Sequence, residues 1–223
     1  TLWPIEVDSA RMETPAPKDA SGRSYQSALR LAIRAQGDAT FAEREIPSLR
    51  FFLDGVSQLV HRLYELLFAC CTRVELRQPA DDMDRPPIEL PLGCLKEVGF
   101  GPSEGMLPYS HRSFLGYRLL QEYFCFPQKF FFLEIQDLHH LQAAQFERGA
   151  ELVFFFDTEP KISQGVDAEN FRLGCTPIVN LYQRMAEPIR LDHAHTEYRV
   201  IPDIHHQVTS EIYAIDKVAS VSP

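Results

Sequence analysis

Residues 112–138 read RSFLGYRLLQEYFCFPQKFFFLEIQDL, and the parsing of this stretch decides the fold. Leu115, Leu119, Leu120, Tyr123 and Phe124 recur at helical spacing, which leaves Arg118, Gln121 and Glu122 for a wet face. Pro127 lacks an amide hydrogen and biases Phe126 away from the helical region, so the helix is predicted to stop there. Phe130 to Ile135 then restarts as a buried strand. The expectation is a helix folded back onto a sheet with its leucine and tyrosine stripe inward. On that reading Leu119→Ala is costly and Glu122→Ala is nearly silent.

Moving outward, the opening LWPIEV reads as a strand, and Ser9 to Arg23 has the Pro, Ser and charged composition of an exposed loop. Leu29, Leu31 and Ile33 alternate with Arg30, Ala32 and Arg34, the period of a half-buried strand, and Leu49 to Leu53 reads as its neighbour. Asp54 is placed to cap a helix carrying Val56, Leu59, Val60, Leu63 and Leu67. Arg73 to Arg77 alternates again. Gln78 to Pro87 is a polar connection, and Pro91 restricts Ile88 to Leu92 to an edge strand. Glu151 to Asp157 reads as a strand beside Phe130 to Ile135. Tyr198 to Ile201 and Glu211 to Val218 are two more predicted strands. Strands outnumber helices without the regular alternation of a parallel sheet. The predicted class is α+β and β-rich, with mixed or antiparallel β-sheets covered by two main helices. Sub-units are expected at 1–90 and 91–223.

The chain has 223 residues, 45% of them apolar, and a formal net charge of -9. No run of Lys or Arg is long enough to line a groove, which argues against nucleic acid as a partner. The longest apolar runs, such as Leu152 to Phe156, are too short to cross a bilayer, so no membrane insertion is expected. The five cysteines, Cys70, Cys71, Cys94, Cys125 and Cys175, are odd in number and mostly in apolar surroundings. That favours a reduced, cytoplasmic setting. Thr1 leads directly into a strand-like segment, which reads as a piece of a longer chain.

Three arrangements invite a chemical reading. Asp192, His193 and His195, with Asp203, His205 and His206 nearby, carry the ligand types of a zinc or iron site, the basis for an alternative reading as a metal-dependent hydrolase. Exposed polar runs of this kind are more ordinarily surface. Gly99, Gly101 and Gly105 suggest a phosphate loop, but no Lys with Ser or Thr follows and Pro102 removes an amide. Ser57, Ser113 and Cys125 have no local motif supplying a base. The aromatic runs at 51–52, 130–132 and 154–156 are suited to a ligand cage, or more simply to a core. One last segment, Cys175 to Arg190, is apolar but follows neither period. Ile178, Tyr182, Met185 and Arg190 there have the apolar centre and polar rim of a partner contact.

The blocks RSFLGYRLLQEYFCFPQKF (112–130), TLWPIEV (1–7), AEPIRLDHAHTEYRVIPD (186–203) and EIYAIDKV (211–218) resemble the TssF family, also called VasA or ImpG. These are baseplate wedge subunits of bacterial type VI secretion systems. The resemblance implies a non-enzymatic structural subunit without a cofactor, of which residues 1–223 are a fragment. It implies a cytoplasmic baseplate docked at the inner-membrane complex. The partners implied are TssG, TssE, TssK, the VgrG hub and a second TssF copy.

Overall fold

A computed structural model describes residues 2–79, 86–109, 112–162, 165–192 and 194–220. The chain divides into two compact units, Thr1–Pro177 and Ile178–Pro223. The first holds all the regular structure among the described residues: β1 (Ile5–Glu13), β2 (Ser27–Ala35), β3 (Leu49–Leu53), α1 (Ser57–Glu65), β4 (Cys71–Arg77), β5 (Ile88–Leu90), β6 (Leu95–Glu97), α2 (Leu115–Cys125), β7 (Phe132–Ile135), α3 (His140–Ala143), β8 (Gly149–Phe156) and β9 (Phe171–Leu173). The fold is α+β and β-rich. The strands form a five-stranded sheet in the order β1-β2-β8-β4-β5 and a four-stranded sheet in the order β6-β7-β3-β9. Every pairing is antiparallel. Both sheets draw strands from either side of residue 90.

β8 is the centre of the larger sheet. Its partners are Ser27–Arg34 of β2 on one side and Cys71–Arg77 of β4 on the other. Successive side chains of a strand point to opposite faces. Leu152, Phe154 and Phe156 therefore enter the main core with Leu29, Leu31, Ile33, Val74 and Leu76. Val153 and Phe155 enter a small second cluster with Tyr25, Ala28 and Ala16. That outer face is covered by the segment after β1. Its Asp19 carboxylate accepts from the Ser21 and Arg23 amides at 2.9 and 2.8 Å and from the Tyr25 hydroxyl at 2.9 Å. Burial pushes the Asp19 carboxyl up, but hydrogen bonds from Ser21, Arg23 and Tyr25 and the Arg73 charge outweigh it and hold it at about 2. The aromatic runs are core: Phe51, Phe155 and Phe156 are fully buried, and Phe132 and Phe154 nearly so.

Several expectations are corrected. β1 continues through Ser9 to Glu13, pairing with Ala28 to Ala32 after a bulge between Val7 and Ser9. As an edge strand it tolerates charges that resemble a loop in the sequence. β3 is not a neighbour of β2, and β8 is not a neighbour of β7; each pair is split between the two sheets. Strand period reports which residues share a face, not which strand lies alongside. α1 begins after Val56, and Asp54 instead pairs with Arg172 at 2.6 Å. The helix continues as a wider π turn over Leu66–Cys70. Pro127 does end α2, but a 3-10 turn over Pro127–Phe131 intervenes before β7. In the second unit Tyr198 to Ile201 and Glu211 to Val218 form no strand.

The core position of β8 has a measurable consequence. Phe154→Ala is expected to lower stability by about 3–5 kcal/mol in a urea titration, the usual effect of deleting a fully buried ring. A loss below about 1 kcal/mol would mean that β8 is not packed between the sheets.

Candidate protein-interaction surface

α2 is turned the opposite way from its apolar stripe. Arg118 and Glu122, expected in water, are buried, whereas Tyr117 is 66% exposed, Leu120 57%, Tyr123 45% and Phe124 80%. Leu115 and Leu119 are half-buried. An unpaired carboxylate in the interior is very unfavourable, so the reason lies in what surrounds Glu122. Its Oε1 accepts from the Met106 and Leu107 amides at 2.7 and 3.0 Å, and its Oε2 pairs with the buried Lys129 ammonium. One turn earlier, Arg118 donates from Nη1 to the Pro102 carbonyl and from Nη2 to the Gly101 carbonyl, both at 2.9 Å. The helix is thus fastened by its charges to the backbone of the preceding loop. Burial pushes the Glu122 carboxyl up, but the Leu107 amide, Lys129 and the Met106 amide outweigh it and hold it below its ordinary value.

The glycines of that loop serve this fastening. At Gly105 a Cβ would collide with the Arg118 guanidinium, and at Gly99, where φ is +104°, it would lie 2.9 Å from the Lys129 carbonyl oxygen. The Gly99 and Gly101 amides do gather an anion, as closely spaced glycines can. The anion is the chain's own Glu104, whose Oε2 accepts from them at 2.9 and 2.8 Å. A cavity of about 300 Å³ beside the loop is lined by Arg50, Glu104 and Lys129 among others. Each of these charges has a partner: Glu134 for Arg50, the two amides for Glu104, and Glu122 for Lys129.

With both charged residues of α2 turned inward, its outer face carries no charge. Between Ser113 and Phe126 the exposed side chains are Ser, Phe, Tyr, Leu, Gln and Cys. Phe114, 72% exposed, stands edge-on to Tyr117 with ring centroids 5.8 Å apart. Gly116 leaves room for it, since a Cβ there would strike the Phe114 ring. Further along, Tyr123 meets Phe124 and Phe130, and Phe130 meets the half-exposed Phe100. Clustered exposed aromatics without charge have the composition of an interface centre. The sequence signal for this face is the spacing of Arg118 and Glu122 at i and i+4, with Lys129 beyond the proline. In the second unit the structure leaves Ile178 83% exposed, Tyr182 64% and Met185 93%, with Arg190 also exposed.

The family model for "Type VI secretion system, TssF" matches residues 1–223. The chain belongs to the TssF family. It is 32% identical over 232 residues to the type VI secretion system component TssF1 of Pseudomonas aeruginosa, an alignment covering 98% of this chain and 36% of TssF1. Its fold is similar to that of a chain in a cryo-electron microscopy structure of the type VI secretion system TssK-TssF-TssG baseplate subcomplex. The TM-score is 0.71 at 24% identity, covering 96% of this chain and 39% of that one. The chain therefore spans little more than a third of the length of these relatives.

The residues singled out for chemistry in this TssF-family chain are engaged locally. Asp192 Oδ1 accepts from the Tyr198 hydroxyl at 2.7 Å and the Ala194 amide at 3.0 Å, and Oδ2 lies 3.1 Å from His195 Nδ1. The Tyr198 hydroxyl first, then the Ala194 amide and His195, hold the Asp192 carboxyl at about 2. Asp203 takes the His205 amide at 2.9 Å, His206 Nδ1 at 2.7 Å and Arg184 Nη2 at 2.7 Å. His193 lies outside the described residues. Among the described residues, no three of His, Cys, Asp and Glu converge as a ligand set. Ser57 Oγ does lie 3.2 Å from His61 Nδ1, but that nitrogen is 2.6 Å from the Ser57 carbonyl oxygen. A carbonyl only accepts, so Nδ1 carries the proton and is not a base for the hydroxyl. Burial pushes the Cys71 thiol up to about 12, which keeps it protonated. Cys125 and Cys175 are exposed rather than set in apolar surroundings.

The inverted helix reverses the expectation for Glu122→Ala, while Leu119 is half-buried and Leu120 is the leucine turned to the surface. Glu122→Ala is expected to cost about 3–5 kcal/mol because it strands Lys129 in the interior. Leu120→Ala is expected to change stability by about 0.5 kcal/mol or less. Denaturant titration of both variants checks this, and equal small effects would contradict it. The pH dependence has a definite sign. Because the folded Glu122 titrates below its ordinary value of 4.5, its stabilisation is complete above that value and is lost as pH falls through the depressed folded pKa. Glu122→Gln should flatten this acid limb of the stability curve.

Proposed function

We propose that this chain is a structural, non-catalytic part of a type VI secretion baseplate subunit, working in the cytoplasm by holding partner subunits together. The observation that carries this reading is the uncharged aromatic face of α2, kept outward by an ion pair on its other side. A protein gains nothing within its own core from Phe114, Tyr117, Leu120 and Phe124 in these positions, whereas an assembly surface does. The partners assigned to it are TssG and TssK, which accompany TssF in the subcomplex of the structural relative. The finer expectations, contacts to TssE, the VgrG hub and a second TssF copy, rest on the family resemblance. Ile178, Tyr182, Met185 and Arg190 form a second contact in the same proposal, supported by the exposure of the first three, with Arg190 at the polar rim, and by the absence of regular structure in residues 178–190. Residues 1–223 act in this reading as a fragment of the larger wedge subunit.

Co-expression with TssG and TssK tests the proposal. In the full-length subunit, Tyr117→Glu with Phe124→Glu should abolish co-purification of at least one partner while the melting temperature stays unchanged. Tyr182→Ala with Met185→Ala should weaken it without loss of stability. Full assembly with both pairs of substitutions in place would contradict the reading.

A further inference from the structure

The segment Glu211–Val218, EIYAIDKV, has the composition of a strand, and its backbone pairs with nothing among the described residues. Its Asp216 side chain accepts from Gln183 Nε2 at 3.3 Å. Ile212, Tyr213, Ile215 and Val218 are β-branched or aromatic, the residue types that fit a pleated surface, and no Gly or Pro interrupts them. They are 42%, 44%, 59% and 86% exposed. None of the segment's amides or carbonyls has a hydrogen-bond partner among the described residues. The segment does not pair with the other strand-like stretch of its unit. Instead Arg199–Pro202 and Ser210–Ile212 line an open cavity of about 330 Å³. Exposed backbone of this kind is open to water, but water does not compensate exposed apolar side chains. A row of free donors and acceptors flanked by such side chains is suited to one occupant, the edge of another β-sheet.

The chain's own edges are poor receivers. β5, β6 and β9 are 3 residues each. β1 is long enough, but it is bulged at Val7/Ser9 and carries Arg11 and Glu13 in an ion pair. We infer that Glu211–Val218 is a strand that adds to the edge of a sheet formed by the remaining part of a full-length TssF-family chain. The source within the same polypeptide follows from two facts. The matched region is 36% of the relative TssF1, so most of such a chain lies elsewhere. A tethered edge also meets the segment at a far higher effective concentration than one on a separate subunit. The inference is independent of the α2 face, since it concerns backbone pairing in the second unit.

Hydrogen exchange read by mass spectrometry tests it, comparing the full-length subunit alone, the same subunit with TssG and TssK, and the 223-residue chain. Peptides covering 211–218 should exchange at open-chain rates in the 223-residue chain. In the full-length subunit alone about half of their amides should slow by roughly 100-fold or more, because an edge strand has alternate amides bonded. Ile215→Pro in the full-length subunit should erase this protection and leave that of β8 unchanged. Fast exchange of 211–218 in both the free subunit and the complex overturns the inference. Protection that appears only when TssG and TssK are added also overturns it, by placing the edge on another subunit.

Discussion

The burial of one carboxylate organises the middle of this chain. Glu122, fully enclosed, is tolerable only because Lys129, seven residues on, and two loop amides converge on it. Those contacts fix where Pro127 turns the chain and where the loop of Gly99 to Leu107 runs. They also fix which side of α2 meets the body of the protein. Arg118 completes the arrangement by donating to two loop carbonyls, those of Pro102 and Gly101. The outward aromatic face follows from this, because a helix that commits its charges inward has only its apolar side left for the surface.

The sheets supply the rigid frame for this arrangement. β8 lies between β2 and β4 with side chains buried on both faces, and α1 contributes Leu59, Val60 and Leu63 to the same core. Function in such a molecule does not require a pocket of activated groups. The buried carboxylates of Asp19, Glu75, Glu122 and Glu151 are each paired with a neighbouring cation, and the glycine loop holds Glu104 where a phosphate-binding loop would hold a ligand. Surfaces that lack an internal partner are where the structure has capacity to spare.

Much of the local structure was legible in the sequence, and most of the tertiary pairing was not. Alternation at Leu29, Leu31 and Ile33, the repeat Leu59, Val60, Leu63 and Leu67, and Pro91 at an edge all correspond to observed elements. The helix of Leu115 to Cys125 was placed correctly, yet its orientation was inverted. A stripe identifies two faces but not which one the protein covers. That depended on Lys129, across a proline, and on loop amides that a helical pattern does not include. Strand neighbours failed for a related reason, because β8 joins β2 and β4 from about 80 to 120 residues away and no local period encodes such a pairing. The family was legible from long blocks of mixed chemistry, while the exposed face of α2 was hidden inside one of them.

Hydroxyl-radical footprinting of α2 tests the central claim most directly. In the free chain, Phe114, Tyr117 and Phe124 should be oxidised readily, while the buried Phe154 should not react. In the assembled complex with TssG and TssK, the three α2 residues should become protected. Slow oxidation of all three in the free chain would show that the aromatic side faces inward, and would contradict the account.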